Sequence, residues 1–446
     1  MERMASTRLT RRRVVALAGS ALPVLPVSLA LAACGGEAAP PKQQGPVTIT
    51  YMSNLAETHP EGAARLFLLD EFSKSNDLKI TVNVDEGRAS SNETKIKALA
   101  AAGTPPDLYY TAYYFVAEFF LAGTTVDLDA ELKGEKDWGR QRAEVFPSML
   151  ESSMWTGKLA GMPGYTNNQG IIYNTGLLQQ AGVAPPKQGW TWDDFKTAAL
   201  KFVRPDLLPL SLGWGAYGHY LRTTGASVIT KDAKKITVDT PEMLQVMELF
   251  LDYLKSGIAK PTPDGKTGLN ETYRQAKNDT VFEVQGPYRI PTLRQANAPD
   301  FLTIHIPVHP GKRQIAANNG GHNMIVLKEV PVERRRAAAL VAKWMNAPHA
   351  QAQMCIRATS IPVSKGAMES RELQDYLKTD APFKGFVDLA PYGWRWPALP
   401  SYGKITTTIQ DNVDAILRQE IGVKAGLAKA QQEAQLLLDE DVRLMK

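Results

Sequence analysis

The sequence predicts an α/β protein with two domains, on three observations. Segments with strand-like patterns alternate with segments that have the apolar spacing of helices, beginning with residues 47–52 and 61–75. The chain has 446 residues, which is more than one hydrophobic core of ordinary size holds. Residues 155–195 contain turns, a strand-like run and a helix start, and they join the two predicted halves.

The first half of the chain predicts a parallel sheet. Three segments have strand patterns: residues 47–52, 80–84 and 107–110. A helix beginning near Asn92 ends at Gly103, ahead of two prolines. Because strands that alternate with helices pair in parallel, ligands are expected beyond their carboxyl ends. Those ends carry residues 54–57, 88–92 and 111–114, which supply the first candidate ligand contacts: Asn54, Glu57 and Tyr113.

The first 34 residues have the pattern of an export signal. Arg11, Arg12 and Arg13 precede an uncharged run over residues 14–33, which ends in small residues. A basic start, an apolar middle and a small-residue cleavage site are typical of a secretory signal peptide. The sequence Leu-Ala-Ala-Cys-Gly around Cys34 resembles a bacterial lipobox, and this resemblance implies lipidation of Cys34. An ordinary signal with an incidental cysteine is the alternative, and export by the Sec or the Tat route stays open.

The net charge of +5 does not indicate nucleic acid as a partner. Residues 1–33 contain five Arg and one Glu, so the predicted mature chain carries only one net positive charge. Residues 34–45 are rich in Gly, Pro and Gln and predict a flexible tether. Once Cys34 is modified, Cys355 has no intrachain disulfide partner, and its apolar neighbours predict a buried side chain.

Residues 155–195 carry the most specific pattern in the chain. They read as a Gly-Lys turn, a Gly-x-Pro run, a polar loop, an apolar strand and a short helix, at residues 157–158, 161–163, 165–169, 171–174 and 177–181. Thr191 and Asp194 then form a capping-box pattern before the next helix. The segment offers amide, hydroxyl and aromatic groups without an evident nucleophile or base, and this composition indicates binding.

These motifs resemble the signature of family 1 extracellular solute-binding proteins, the maltose-binding-protein type that serves ABC importers. The matching motifs are Gly-Lys-x-x-Gly-x-Pro, an apolar pair with Tyr-Asn, Pro-Pro and Thr-Trp-Asp-Asp-Phe, at residues 157–163, 171–174, 185–186 and 191–195. Ala160 and Asp194 stand where the family often has Tyr and Glu. The resemblance implies the two-lobed periplasmic-binding-protein (Venus flytrap) fold, with a mostly parallel sheet flanked by helices in each lobe and a hinge of three chain crossings.

The resemblance also implies boundaries, partners and location. The implied segments are a signal peptide (1–33), a tether (34–45), an N-terminal lobe (46–164 plus 318–362) and a C-terminal lobe (165–317 plus 363–446). A carbohydrate, either a mono- or an oligosaccharide, would bind between the lobes and pass to ABC permease subunits. The protein would be a lipid-anchored monomer on the extracytoplasmic face of a bacterial membrane. No cofactor, metal or catalytic activity is expected, and the chain lacks the Gly-x-x-x-x-Gly-Lys-Ser/Thr loop of an ATPase.

Later motifs add to the resemblance. Thr240-Pro241 predicts a helix start with proline at the first helical position. Residues 282–290 resemble the family's strand-to-helix turn ending in Gly-Pro-Trp, with Tyr288 in place of the tryptophan. The sequence Gly-Gly-His-Asn, which contains His322, precedes an apolar strand like the family's return to the first lobe.

Two literal motif matches lack the context that their function needs. Residues 213–218 satisfy Gly-x-Gly-x-x-Gly, but Trp214 and Tyr217 are too bulky for the close approach of a pyrophosphate. His305 and His309 are four residues apart, yet they lie in a predicted strand rather than on one face of a helix. Neither motif therefore predicts a nucleotide or zinc site.

Aromatic and amide side chains cluster at loop-like or strand-end positions, and this composition suits a sugar. A sugar ring has an apolar face for aromatic stacking and a rim of hydroxyl groups for polar side chains. The proline-bounded segment around Trp394 and Trp396 is similar to a late segment that lines the cleft in the family. The candidate ligand-binding residues are Asn54, Glu57, Tyr113, Tyr165, Asn168, Trp214, Tyr288, His322, Trp394 and Trp396.

Two other functions stay open. One is the binding of a non-sugar solute, for example ferric iron held by paired tyrosines. The other is a secreted carbohydrate-active enzyme, which would need two carboxylates spaced for glycoside chemistry in the cleft. Tyr114 stands where the maltose-binding protein places an acid, and this difference weakens the analogy with maltose in particular.

Overall fold

The computed structural model describes residues 45–85, 93–212, 215–260, 279–298 and 300–445. Its strands are β1 (Val47–Ser53), β2 (Ile80–Val84), β3 (Leu108–Ala112), β4 (Met154–Trp155), β5 (Lys158–Leu159), β6 (Met162–Asn168), β7 (Gly170–Asn174), β8 (Leu208–Ser211), β9 (Thr280–Gln285), β10 (Phe301–Ile304), β11 (Ala317–Val326) and β12 (Gly393–Trp394). The predicted signal peptide, the lipidation site Cys34, the strand-end residues 88–92 and Trp214 lie outside the described residues.

Helices flank the strands along the whole described chain. In order they are α1 (Pro60–Ser75), α2 (Glu93–Ala101), α3 (Val116–Leu121), α4 (Leu128–Glu131), α5 (Trp138–Glu144), α6 (Pro147–Glu151), α7 (Thr175–Gln180), α8 (Trp192–Ala199), α9 (Ala216–Thr223), α10 (Pro241–Lys255), α11 (Arg289–Gln295), α12 (Val332–Met345), α13 (Pro348–Ala358), α14 (Lys365–Met368), α15 (Arg371–Leu377), α16 (Ala381–Val387), α17 (Tyr402–Leu417) and α18 (Val423–Leu444). Short 3-10 turns occupy Tyr113–Phe115, Leu200–Phe202 and Ala390–Tyr392. Within the described ranges, no helix combines the length and apolar character that crossing a bilayer requires.

The first lobe is built on a sheet with the strand order β12-β11-β3-β1-β2, in which β6 also pairs with β11. β1 is parallel to β2 and to β3, as predicted for strands that helices connect. Leu68 of α1 and Val341 of α12 share a buried core with Ile49 and Val326 of the sheet. Complete burial of an aliphatic side chain of this size contributes about 2 kcal/mol to folding.

The second lobe has its own sheet, with the order β10-β7-β9-β8, and its own core. The ring centres of Phe195 and Phe282 lie 5.2 Å apart, and those of Tyr220 and Phe250 lie 5.0 Å apart. The first contact joins α8 to strand β9, and the second joins α9 to α10. α17 and α18 complete the same core, so the C-terminal part of the chain folds back onto the second lobe.

The strand directions correct one expectation, because the sheets are mixed. Both lobes were expected to be mostly parallel, but β7 runs antiparallel to β9 and to β10 in the second sheet, and only β8 runs parallel to β9 among its described pairs. The first sheet is mostly parallel as expected, since β1 pairs in parallel with β2 and β3 and β11 with β12, while β11 runs antiparallel to β3 and β6. The physical reason is connectivity. In the second sheet, β8, β9 and β10 are joined by helices α9 to α11 and run in one direction, whereas β7 enters directly from the crossing after β6 and runs against them.

The chain crosses between the sheets beside the pocket described below. It passes from β6 to β7 at Gln169 and returns between β10 and β11. A third segment runs alongside, because Thr166 and Ile361 exchange backbone hydrogen bonds of 2.8 Å in both directions. The segments that connect the lobes are therefore laterally bonded.

The capping residues predicted from the sequence at the starts of two helices are present in the structure. The Thr191 side chain accepts a hydrogen bond from the Asp194 backbone, and the Asp194 carboxylate accepts one of 2.8 Å from the Thr191 backbone, which confirms the capping box of α8. Thr240 caps α10, and Pro241 takes the first helical position. Cys355 is fully buried, as its apolar neighbours predicted.

Two segments differ from their predicted structure. Residues 165–169 were predicted as a polar loop, but they continue strand β6 as far as Asn168. Their polarity misled the prediction, since β6 pairs along its length with β11 and its side chains serve a polar pocket. The strand predicted across His305 ends earlier, at Ile304. The Nε2 atom of His305 accepts a hydrogen bond of 2.8 Å from the Gly189 backbone, so this histidine closes a loop.

Candidate functional site

A pocket of about 480 Å3 lies between the two sheets, beside the chain crossings. Its described lining residues come from both lobes and from the C-terminal segment: Asn54, Leu55, Ala112, Tyr113, Tyr114, Asn167, Gln169, Gly215, Tyr217, Gly218, His219, Val228, Tyr288, Gly320, Gly321, His322, Trp396, Tyr402 and Thr406. The volume is within the range of small-molecule sites.

The first lobe contributes the carboxyl ends of two neighbouring strands. Asn54 follows β1, and its backbone N–H donates a 3.1 Å hydrogen bond to the carbonyl oxygen of Tyr110 on β3. Tyr113 and Tyr114 follow β3 in a 3-10 turn. Because β1 and β3 are parallel neighbours, both ends open on the same edge of the sheet, where the sequence predicted ligand contacts.

His322 of β11 forms the floor of this side. Its ring packs against both Tyr110 and Tyr165, with ring centres 5.4 and 5.3 Å away, and the two tyrosine rings also contact each other. Its Nδ1 atom lies 2.7 Å from the Tyr165 hydroxyl oxygen, and its Nε2 atom lies 3.4 Å from the side-chain nitrogen of Asn54. Burial, followed by nearby cations that include Arg65, holds the pKa of His322 well below its ordinary value. The imidazole is therefore neutral at physiological pH.

A buried polar cluster lies behind His322. The Tyr165 hydroxyl is hydrogen-bonded to the Glu61 carboxyl group on the first turn of α1. Arg65, one turn later, donates to the Tyr51 hydroxyl at 2.9 Å and to the Ser53 hydroxyl at 2.8 Å. Burial raises the pKa of Glu61 to about 7, while the Tyr165 hydrogen bond and Arg65 oppose that rise. The Glu61 carboxyl group therefore titrates near neutral pH.

The second lobe presents the start of α9. Gly215 caps this helix with a φ of 73°, a conformation that favours glycine, and its N–H donates a 3.0 Å hydrogen bond to the Gln410 side chain. His219, one turn along, is 5% exposed, and the Nδ1 atom has no hydrogen-bond partner among the described residues. Burial lowers the pKa of His219 to about 3, so it too is neutral.

Aromatic rings line the remaining wall. The rings of Tyr114 and Tyr402 stack with centres 4.6 Å apart and an interplanar angle of 18°. Trp396 meets Tyr402 edge-on at 5.3 Å. Tyr288 faces the pocket from the second lobe, and its hydroxyl donates a 2.8 Å hydrogen bond to Gln285. Rings held in this way offer flat apolar faces with polar edges.

The described lining carries no Asp, Glu, Lys or Arg side chain. Neutral amides, hydroxyl groups and imidazoles supply its hydrogen bonds. A ligand with a net charge would find no described opposite charge in the lining, whereas a neutral, hydroxyl-rich ligand would match it. The described part of the lining therefore also lacks the pair of carboxylates that glycoside hydrolysis requires.

Five of the residues proposed from the sequence line this pocket together: Asn54, Tyr113, Tyr288, His322 and Trp396. They come from five separate parts of the chain, so the fold brings them together. Tyr113 and Trp396 are 2% and 7% exposed, which means that they shape the wall more than they present free faces.

Four other candidates lie away from the lining. Glu57 is exposed beyond β1. Tyr165 is buried, and both His322 and Tyr110 cover its ring. The Asn168 amide donates a 2.8 Å hydrogen bond to the Phe386 carbonyl oxygen and is fully buried. Trp394 is partly buried beside Trp396. The remaining candidate, Trp214, lies outside the described residues.

Sequence reasoning missed several lining residues, including Asn167, Gln169, His219 and Thr406. Asn167 and Gln169 are two residues apart, so they face the same side of an extended chain, while the intervening Asn168 is buried. Strand alternation would have selected them had the segment been predicted as a strand. No local signal distinguishes His219 or Thr406, because tertiary packing places them.

The sequence has recognisable relatives. The family profile described as "Bacterial extracellular solute-binding protein" matches residues 68–381. A probable ABC transporter-binding protein of Deinococcus radiodurans is 25% identical over 297 residues, which cover 62% of this chain and 68% of the relative. A probable sugar-binding periplasmic protein of Mesorhizobium japonicum is 24% identical over 294 residues, which cover 63% of this chain and 68% of the relative.

Solved structures share the architecture. The cyclic alpha-maltosyl-1,6-maltose binding protein of Arthrobacter globiformis gives a TM-score of 0.77 at 19% identity, covering 89% of this chain and 100% of that chain. UgpB of Mycobacterium tuberculosis, in complex with glycerophosphocholine, gives 0.75 at 17% identity, covering 90% and 100%. These matches confirm the predicted two-lobed periplasmic-binding-protein fold. Because the family profile covers well over half of the sequence, the chain belongs to the bacterial extracellular solute-binding proteins.

Proposed function

We propose that this protein binds a neutral mono- or oligosaccharide between its lobes and delivers it to the permease of an ABC importer. The observation that carries the proposal is the pocket lining, which combines aromatic rings with neutral hydrogen-bonding groups and has no charged side chain among its described residues. The sugar-binding relative from Mesorhizobium and the maltosyl-maltose binding protein from Arthrobacter support a carbohydrate. The relative named as ABC transporter-binding supports an importer as partner.

Ligand in this pocket would favour closure of the lobes. Asn54 and His322 belong to the first sheet side, whereas Tyr288 and the start of α9 belong to the second. A ligand that contacts both sides stabilises the closed arrangement by its differential affinity, and the importer would read that arrangement. We retain the boundaries 46–164 plus 318–362 and 165–317 plus 363–446 for the moving bodies, although β12 and the end of β6 pair within the first sheet and would stay with the first lobe.

The ligand class is tested by thermal shift with a panel of neutral sugars, sugar acids and glycerophosphodiesters. A ligand that binds only the native state at a hundredfold excess over its Kd stabilises that state by about 2.7 kcal/mol. We expect a neutral sugar to raise the melting temperature, and calorimetry would then give its affinity. A shift confined to glycerophosphocholine, which is a zwitterion, or to a solute with a net charge would overturn the proposal. The similarity to UgpB makes glycerophosphocholine a necessary member of the panel.

For the site, we propose that Asn54, Tyr113, Tyr288, His322 and Trp396 surround the ligand. Tyr165 and Asn168 would act from behind, through their hydrogen bonds to His322 and to the Phe386 carbonyl oxygen. Glu57, Trp214 and Trp394 stay predictions as outer contacts.

Binding without turnover is the expected behaviour. The family and the neighbours described above are binding proteins, and the described pocket lining has no carboxylate to act as acid or nucleophile. The measurement is release of reducing ends from the oligosaccharides that bind. Hydrolysis that disappears when a single Asp or Glu of the chain is changed to its amide would move the protein to the enzymes.

For localisation, we propose a lipid anchor at Cys34 and a monomeric chain. The support is the lipobox-like sequence around Cys34 and the extracellular nature of the family. The variant Cys34→Ser should appear in the soluble exported fraction or keep its leader. A membrane-bound Cys34→Ser protein with a mature N-terminus would contradict the anchor, and size-exclusion chromatography with light scattering checks the monomer.

A further inference from the structure

We propose that Glu61 is a positioning residue for ligand recognition: acting through Tyr165, it sets the tautomer of His322 and thereby decides whether the pocket presents a hydrogen-bond donor or an acceptor. The inference rests on the proposed role of this pocket in binding. Glu61 itself lies 3% exposed on α1 and does not line the pocket. Its effect would therefore reach the ligand through two other side chains.

The hydrogen-bonded chain is continuous from the core to the pocket. The Glu61 carboxyl group is bonded to the Tyr165 hydroxyl. The same hydroxyl oxygen lies 2.7 Å from Nδ1 of His322. On the far side of the ring, Nε2 faces the Asn54 amide at 3.4 Å, and both His322 and Asn54 line the pocket. A proton gained or lost at one end is thus linked to the hydrogen bonds at the other.

Two proton arrangements satisfy this chain. When Glu61 is ionised, it accepts the Tyr165 O–H, the Tyr165 oxygen accepts the Nδ1–H of His322, and Nε2 keeps a lone pair. When Glu61 is protonated, it donates to the Tyr165 oxygen, the Tyr165 O–H turns to Nδ1, and the imidazole carries its proton on Nε2. The ring is neutral in both cases, and the net change is one proton added to Glu61.

The surrounding groups keep the other two members in the required states. Burial and then Glu61 raise the pKa of Tyr165 well above its ordinary value, so the phenol keeps its proton. Burial lowers the pKa of His322, and the cations Arg65 and Arg395 act in the same direction. Near neutral pH, Glu61 is therefore the group that titrates. The titratable and charged groups that face the cluster from the adjoining elements are His59, Arg65, Tyr51, Tyr110, Tyr165, His322 and Arg395.

Asn54 is suited to both arrangements. In the orientation described, its side-chain nitrogen faces Nε2, which fits the ionised form of Glu61. Its Oδ1 atom is buried without a hydrogen-bond partner among the described residues. Rotation of the amide by half a turn would bring this oxygen to an Nε2–H, which fits the protonated form. A sugar hydroxyl both donates and accepts, so it could follow the change, whereas an ether oxygen could only accept.

The test observes the tautomer of His322 directly, by NMR of the full chain labelled with 15N in its histidine rings. A His322→Gln variant assigns the signal among the six histidines. Between about pH 8.5 and about pH 5.5, on either side of the Glu61 transition, we expect the signal to change from the Nδ1–H to the Nε2–H tautomer. No ligand is added, so the result does not depend on which solute the pocket binds.

Three variants make the test specific. In Glu61→Gln the amide N–H replaces the acid proton as donor to Tyr165, so His322 should stay Nε2–H at both pH values. Tyr165→Phe breaks the link and should abolish the transition. Tyr109 is a buried tyrosine of the same sheet that is not part of the hydrogen-bonded chain. In Tyr109→Phe, the His322 tautomer should therefore change with pH as it does in the parent. An unchanged tautomer in the parent, a transition to imidazolium, or the parent's transition in Tyr165→Phe would overturn the proposal. Tyr165→Phe decides the matter even if Glu61→Gln does not fold.

Discussion

The guanidinium carbon of Arg395 lies 4.7 Å from the centre of the Tyr113 ring. The same group donates hydrogen bonds of 2.7 Å to the Gly320 carbonyl oxygen and 3.0 Å to the Tyr165 carbonyl oxygen. Among the described residues no carboxylate pairs with it, and burial lowers the pKa of Arg395 to about 10. One buried cation therefore fastens the C-terminal segment to both β6 and β11 and to a pocket tyrosine.

Arg395→Met should destabilise the protein. The substitution keeps much of the side-chain volume but leaves two buried carbonyl oxygens without their charged donor, so we expect the free energy of unfolding to fall by about 3 kcal/mol. Urea denaturation measures this change. Arg371→Met is the control, because its side chain is 96% exposed. Equal midpoints for the two variants would show that the Arg395 contacts contribute nothing to stability.

Tyr288→Ala and Tyr114→Ala should each weaken ligand binding. Both rings are only partly buried, so they retain faces that a sugar can cover. Truncation of such contacts costs about 1–3 kcal/mol, or roughly tenfold to more than a hundredfold in Kd. Calorimetry with the tightest sugar of the thermal-shift panel measures the loss. Tyr392→Ala, outside the pocket and 41% exposed, is the matched control, and parental affinity in both pocket variants would place the site elsewhere.

Gly321→Ala should be strongly destabilising. The residue has a φ of +120°, and an added Cβ would lie 2.3 Å from the Tyr165 carbonyl oxygen and 2.4 Å from the Arg395 side chain. Backbone strain and overlap together should cost about 3 kcal/mol or more. Gly182→Ala separates the two effects, because Gly182 has a φ of +62° with nothing near the added carbon. Thermal unfolding should show a clearly larger loss for Gly321→Ala; similar losses would refute the overlap.

Glu61 should make the protein less stable as pH rises toward neutrality. Its folded pKa is about 7 against an ordinary value of 4.5, so the folded state holds a proton that the unfolded state has lost between these values. The stabilisation is complete below about pH 4.5 and is lost as pH rises through about 7, with a total of about 3 kcal/mol. Glu61→Gln should remove this contribution, which urea titrations at several pH values measure as the difference in stability between the parent and the variant at each pH. A slope identical to the parent's would contradict the assignment.

His219 should have the opposite effect on stability. Burial lowers the pKa of His219 to about 3 from an ordinary 6.5. Between these two values the imidazole is protonated in the unfolded state and neutral in the folded state. Stability is therefore complete above about pH 6.5 and falls as pH drops through this range toward 3. His219→Gln should reduce the acid loss. Between about pH 4.5 and 6.5 the Glu61 and His219 slopes have opposite signs, so they should nearly cancel in the parent, and His219→Gln should expose the Glu61 slope while Glu61→Gln exposes the His219 slope. Acid sensitivity unchanged in His219→Gln would contradict the prediction.

Local chemistry explains which parts of the fold the sequence predicted. The Thr191–Asp194 capping box and Pro241 at the start of α10 depend on neighbours within one turn, so their patterns were sufficient. Residues 165–169 failed because a strand beside a polar pocket lacks the apolar alternation by which strands are recognised. The same polarity that hid β6 supplies two of the pocket's amides.

The site residues also divide into those that a local pattern predicted and those that only tertiary packing places in the pocket. Asn54 and Tyr113 were found because strand ends in a parallel sheet meet at one edge. His219 could not be found, since its place in the lining depends on how α9 packs against α17 and the first lobe. Glu57 illustrates the limit of the strand-end argument: it is only three residues from Asn54, yet the chain has already turned to the surface.

The Tyr114–Tyr402 stack affects how often the empty protein adopts the closed arrangement that the proposed importer would recognise. Tyr114 follows β3, and Tyr402 begins α17, so widening the pocket would pull two stacked rings apart. A stacked pair of this kind contributes about 1 kcal/mol, which multiplies the empty closed population about fivefold. A permease that responds to closure would then be engaged more often by protein without ligand. Tyr402→Leu should widen the empty protein in small-angle scattering, and such a variant would trade some affinity for a cleaner difference between loaded and unloaded states.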